Sequence, residues 1–195
     1  MRNLIFTSVF LVLLSIPVVV LSTPGDLGYR YIHDQVISRV LITSFTNSDF
    51  NSASADFSSA GNLSFSPGPS HLNPPYTKNV AFLESNFGSV PWVGLAIGYT
   101  ASDQPCATYP GGSLTGNCTM SNGADYALIR FNSYYAPFSA AVRANLIRHE
   151  FAHILGLSHS GCSPTDSVMA PSISCTPLRT TLQPIDQSII NTWYP

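Results

Sequence analysis

The residues with the most chemistry to offer lie within one run, His149-Glu150-Phe151-Ala152-His153-Ile154-Leu155-Gly156-Leu157-Ser158-His159. Histidines four apart share one face of an α-helix, because 3.6 residues complete a turn, so His149 and His153 can grip one ion together. Glu150, next to the first of them, can then reach a water on that ion. Gly156 stands where such a helix must stop, since glycine enters the left-handed region without a Cβ penalty, and a chain reversed there can return His159 as a third ligand. Three protein nitrogens leave the fourth tetrahedral position to water, which is the arrangement of a catalytic zinc rather than a structural one. Given the composition, chance would place this pattern in roughly two of a million such chains. The chain has only two glutamates, and one falls here. The other, Glu84, is expected to be a solvated surface carboxylate.

The elements that must hold these residues can be traced from periodicity and punctuation. Ser139 is a cap for a helix beginning near Ala140, on which Val142, Leu146, His149 and His153 share one face. Upstream, the apolar and β-branched stretch Tyr29–Ser44 predicts a first strand that includes Tyr29, Tyr31 and Val40-Leu41-Ile42. Phe50, Ala53, Phe57 and Ala60 repeat at helical spacing, with Ser48 as the expected cap and Gly61 as the stop. Leu63–Ser66 reads as a short strand, followed by a loop from Pro67 to Pro75. Val80–Leu83, Val93–Tyr99 and Ala124–Phe131 read as further strands. Leu182-Gln183-Pro184-Ile185-Asp186 opens a closing helix with Ile189, Ile190 and Trp193 on its packing side.

With Met169 ten residues beyond His159, the run resembles the metzincin clan of zinc peptidases, in which H-E-x-x-H-x-x-G-x-x-H is followed by a methionine turn, here Ser167-Val168-Met169-Ala170-Pro171. Ser160 after the third histidine and Pro171 after the methionine look most like the matrixin branch. The tyrosine that astacins and serralysins carry in place of that proline is absent. The resemblance is sharp from Ser139 to Tyr194 and diffuse before it. It implies an α+β, metzincin-like zincin fold, with a mixed twisted sheet of about five strands, an active-site helix, a methionine turn and a C-terminal helix. It also implies one catalytic zinc on His149, His153 and His159, with Glu150 as general base and Met169 as an apolar floor beneath the imidazoles. His159 to Met169 is two residues longer than in typical matrixins, and the extra length coincides with Cys162. His33 and His71 are too few and too far apart for the additional structural zinc of matrixins, and the scattered aspartates leave calcium open.

Met1-Arg2, the apolar run Leu4–Leu21 and the small residues Val20 and Ser22 have the parts of a secretory signal peptide, so residues 1–22 are expected to be removed and 23–195 to form one catalytic domain. The formal net charge of −2 with 9 % charged residues provides no basic patch, which argues against nucleic acid and acidic membrane surfaces as partners. A monomer with no stable membrane association after signal cleavage is expected. The four cysteines all follow residue 100, an even number in a chain read as secreted, so two disulfides are the default. Of the three connectivities, Cys106–Cys118 and Cys162–Cys175 each close a short loop rich in Gly, Pro, Ser and Thr, and each loop would contribute about 3 kcal/mol. No cysteine is placed to act as the propeptide switch of typical matrixins, so activity is expected without removal of a long propeptide. Asn62-Leu63-Ser64 and Asn117-Cys118-Thr119 match the glycosylation acceptor pattern.

The function these readings favour is that of a secreted, extracellular zinc endopeptidase acting on protein or peptide substrates, with the peptide added as an extra strand along Gly94–Tyr99. The alternative is a non-catalytic extracellular binding protein on a metzincin scaffold, although such a scaffold has no physical need for Glu150. The pocket for the side chain after the scissile bond is expected to be walled by Pro171–Leu182, with Ile173, Pro177 and Leu178 as apolar lining and Arg179 able to close it. Activity is expected to collapse through about pH 6 to 5, because imidazole must be neutral to ligate.

Overall fold

The computed structural model describes residues 27, 29–31, 36–67, 79–106, 115–119, 121–162 and 166–195. The expected signal segment, His33, His71 and the stretch 68–78 lie outside them. Five strands and three helices follow in the order β1 (Val36–Ile42), α1 (Asn47–Ala60), β2 (Ser64–Pro67), β3 (Asn79–Ser85), β4 (Gly94–Tyr99), β5 (Tyr126–Asn132), α2 (Ala140–Ile154) and α3 (Pro184–Trp193). The sheet order is β2-β1-β3-β5-β4. All neighbours run parallel except β4, which lies antiparallel to β5 at the edge. This is the mixed five-stranded sheet, with its zinc-motif helix and closing helix, that the resemblance implies.

The central strand reads as an unbroken apolar run because it is covered on both faces, as parallel strands are. Val80, Ala81 and Phe82 are all buried. The helical stripe is the buried face of α1, since Phe50, Ala53, Phe57 and Ala60 all enter the core. Phe50 meets Phe82 edge to face at 4.7 Å, and Phe57 meets Phe151 of α2 at 4.7 Å. Pairs of this geometry contribute about 1 kcal/mol each beyond their area. On the outer side, two ion pairs tie α1 to α2: Arg143 to Asp49 at 3.1 Å and Arg148 to Asp56 at 2.7 Å. Arg148 is only 2 % exposed and also donates to Ser52 Oγ and Ala144 O.

Several boundaries differ from the sequence reading. Tyr29 and Tyr31 precede β1; Tyr31 makes an isolated bridge to Ala124, and both tyrosines are buried by tertiary packing rather than by strand pairing. The cap of α1 is Thr46, not Ser48. Its hydroxyl accepts from Asp49 N while the Asp49 carboxylate accepts from Thr46 N, and this reciprocal box satisfies two end donors where Ser48 satisfies none. Gly61 ends that helix with extended backbone, so its left-handed freedom is not used. Glycine is required there for space, because a Cβ would lie 2.9 Å from Tyr194 O and 3.0 Å from Ile190. Glu84 is not simply solvated: its Oε2 accepts from Thr43 Oγ1 and Ser44 N. Burial would raise its pKa, but these hydrogen bonds outweigh it and the carboxyl is lowered. Both expected disulfides are formed, Cys106–Cys118 and Cys162–Cys175. No described helix is long and apolar enough to cross a membrane.

Candidate metal centre and active site

Helix α2 starts at Ser139, whose hydroxyl accepts from Val142 N, and from Asn145 onward nearly every residue is buried. It ends in a Schellman arrangement. Gly156 N donates to His153 O and Leu157 N donates to Ala152 O, with Gly156 at φ +101°. A side chain at Gly156 would also strike Tyr29 O. The reversal has a chemical consequence, because Leu157 O is thereby placed 2.7 Å from His153 Nδ1. His149 Nδ1 lies 2.9 Å from Val168 O, in the methionine turn. A carbonyl only accepts, so both rings carry their proton on Nδ1 and turn the Nε2 lone pair inward.

The inward nitrogens meet. Nε2 of His153 lies 3.1 Å from Nε2 of His149 and 3.2 Å from that of His159, and His149 and His159 are 3.2 Å apart. Lone pairs at this separation repel unless a cation lies between them. The edge of a zinc tetrahedron with Zn–N near 2.0–2.1 Å is about 3.3 Å, so the three nitrogens fit that ion. Among the described residues these three histidines are the only group of this kind. Burial, with the neighbouring His159, pushes the His149 pKa down to about 4 despite the Val168 carbonyl. Burial also lowers His153 and His159, so all three are neutral and able to ligate at neutral pH.

The methionine turn is fixed from beneath by α3. Asp186, fully buried, accepts from Ser167 Oγ, Val168 N and Gln183 N. Burial raises its pKa against those hydrogen bonds. One carboxylate thus links the closing helix to the carbonyl that orients His149. Met169 is completely buried, and its carbonyl accepts from Ser160 N, next to the third histidine. The composition of α3 hinted at Asp186, an acid beside a Pro-led helix start, but its partners are tertiary.

A cleft of about 630 Å³ opens over the three histidines and Glu150. Its other walls are Val93–Ile97 along the sheet edge, Asn145 and Leu146 from α2, and Pro171 and Ile173 after the methionine turn. Leu27 and Tyr29 close one end, and Leu27 N is held by Gly156 O. Pro177, Leu178 and Arg179 do not line it. Asn145 Nδ2 donates to Arg179 O, and the Arg179 guanidinium turns to Asp166 at 3.4 Å. The far end of the β4 edge is also occupied, because Pro105 bridges Tyr99 and Cys106 N donates to Gly98 O. The open edge is therefore Gly94–Ile97, shorter than the Gly94–Tyr99 stretch expected. Glu150 lies against Gly94, and burial pushes its carboxyl up to about 8 in the metal-free chain.

The family model described as Matrixin, peptidase M10, matches residues 106–195, the stretch that holds the three histidines, Glu150, Met169 and Asp186. The part of the chain that carries the site thus resembles the matrixin zinc peptidases. No curated protein matches it in sequence. Among solved structures, myroilysin is similar at 17 % identity and a TM-score of 0.48, over 83 % of this chain and 80 % of that one. High choriolytic enzyme 1, a hatching enzyme zinc-protease from Oryzias latipes (medaka fish), is similar at 11 % identity and a TM-score of 0.42, over 85 % and 92 %. A three-histidine set of this geometry suits zinc.

Proposed function

We propose that the protein is a secreted endopeptidase in which Glu150 is the general base and His149, His153 and His159 hold the metal. The observation that carries this is the convergence of three inward Nε2 atoms, one carboxylate and an open strand edge in a single cleft. The chemistry supplied by the bound metal is Lewis-acid polarisation of a water and of the scissile carbonyl. The carboxylate of Glu150 takes the proton of the attacking water and delivers it to the departing amine. The Val168 and Leu157 carbonyls keep His149 and His153 in the ligating tautomer. The backbone of Gly94–Ile97 aligns the substrate as an added antiparallel or parallel strand, and Leu146, Pro171 and Ile173 receive an apolar side chain beside the metal.

The same proposal covers cleavage of the leader after Ser22 and a monomeric product. Asn62 and Asn117 are both exposed, which suits them as glycan acceptors in a host that glycosylates. The deciding experiment is hydrolysis of casein or gelatin by the purified protein, with and without a chelator, beside Glu150→Ala. Zinc content should be unchanged in that variant while turnover falls by orders of magnitude. Full activity in a folded Glu150→Ala protein would sink the assignment of the base.

A further inference from the structure

Strand β4 begins at the residue that lies against the carboxylate of Glu150. By the two-residue alternation of a strand, Gly94, Ala96 and Gly98 share one face, all of them small. A Cβ on Gly94 would stand 2.8 Å from both Cγ and Cδ of Glu150 and closer still to Oε1. The backbone of Gly94 is outside the left-handed region, so conformation does not call for glycine here, whereas space does. Glu150 is 5 % exposed, and its carboxyl lies against the bare backbone of Gly94.

We infer that Gly94 is a positioning residue, whose missing side chain forms the slot that holds the Glu150 carboxylate facing the cleft. The inference rests on Glu150 being the general base. Carbon atoms pack at about 3.5–4.0 Å, so a methyl at Gly94 must displace the carboxylate by about 1 Å. A misplacement of that size near the reacting atoms costs about 100-fold in rate.

The test is a double-mutant cycle on zinc-loaded protein with a short fluorogenic peptide, with metal content and melting temperature recorded for every variant. Gly94→Ala should keep zinc and a near-normal KM and lose about 100-fold in kcat. In the Glu150→Ala background, where the slot is empty, the same substitution should cost far less than about 100-fold, leaving only its effect on the substrate-aligning edge. Unchanged kcat in Gly94→Ala overturns the inference, as does an equal loss in both backgrounds. If Gly94→Ala alone does not fold, the double variant decides: folding at the wild-type melting temperature supports the slot, and failure to fold overturns it. A wild-type protein without peptidase activity, or a fully active Glu150→Ala, would instead remove the underlying reading, whatever Gly94 does.

Discussion

In its proposed role Glu150 would serve the chemistry at a cost to the fold, and Glu150→Gln separates the two. In the metal-free protein, burial pushes this carboxyl from 4.5 to about 8. The folded chain therefore holds the proton more tightly than the unfolded chain. The stability tied to that proton is fully present below pH 4.5 and is lost as pH rises through about 8. At about 1.36 kcal/mol per pH unit, this one group lowers stability by about 3 kcal/mol between pH 4.5 and pH 7. Glutamine has the same shape and no such dependence. Chelator-treated Glu150→Gln should match the wild type near pH 4.5 and exceed it by about 3 kcal/mol at pH 7, or about 6–12 °C in Tm for a chain of this length. The neutral histidines titrate in both proteins, so their effect cancels in the difference. Urea unfolding or thermal melts at four pH values between 4.5 and 7 measure it. A gap that does not widen with pH would mean that the carboxyl is already ionised in the folded protein, and the burial argument would fail.

Because burial already holds His149 neutral down to about pH 4, protons compete weakly for the ligands. Zinc content after dialysis should persist to about pH 5 and be lost by about pH 4, below the window of about pH 6 to 5 expected from unperturbed imidazoles; release at pH 6.5 contradicts this. Arg148→Ala should destabilise by about 2 kcal/mol, read as a denaturation midpoint shift at constant slope, since it removes the charged hydrogen bonds of a buried side chain that joins α1 to α2. An effect under about 0.5 kcal/mol would show the pair to be incidental. Replacing Cys162 and Cys175 together by serine should cost about 3 kcal/mol for a loop of 13 residues. Melting under reducing conditions should then no longer differ between the variant and the wild type at that loop, and a persistent gap would point to lost packing of buried Cys175 instead.

The zinc-binding set was legible in the sequence because it is local. His149 and His153 are related by one helical turn, and Gly156 sets the reversal to His159 at short range, so spacing alone carries the geometry. The buried stripe of α1 and the closing helix were legible for the same reason, and the short loops made the disulfide pairs readable. The caps were less so, because Thr46 and Ser48 are equally good cap types and only the reciprocal contact with Asp49 selects between them. What no local pattern contains is contact between distant segments. Asp186 reaches the methionine turn from α3, Arg179 is drawn out of the cleft toward Asp166, and Cys106 closes part of the β4 edge. Gly94 carries no sequence signal for its role, since an unstrained glycine at the start of a strand looks like any other. Its meaning comes from the packing of β4 over α2, which places backbone against Glu150 across 56 positions of chain. Periodicity fixes which face of an element is buried, and only tertiary packing decides what that face meets.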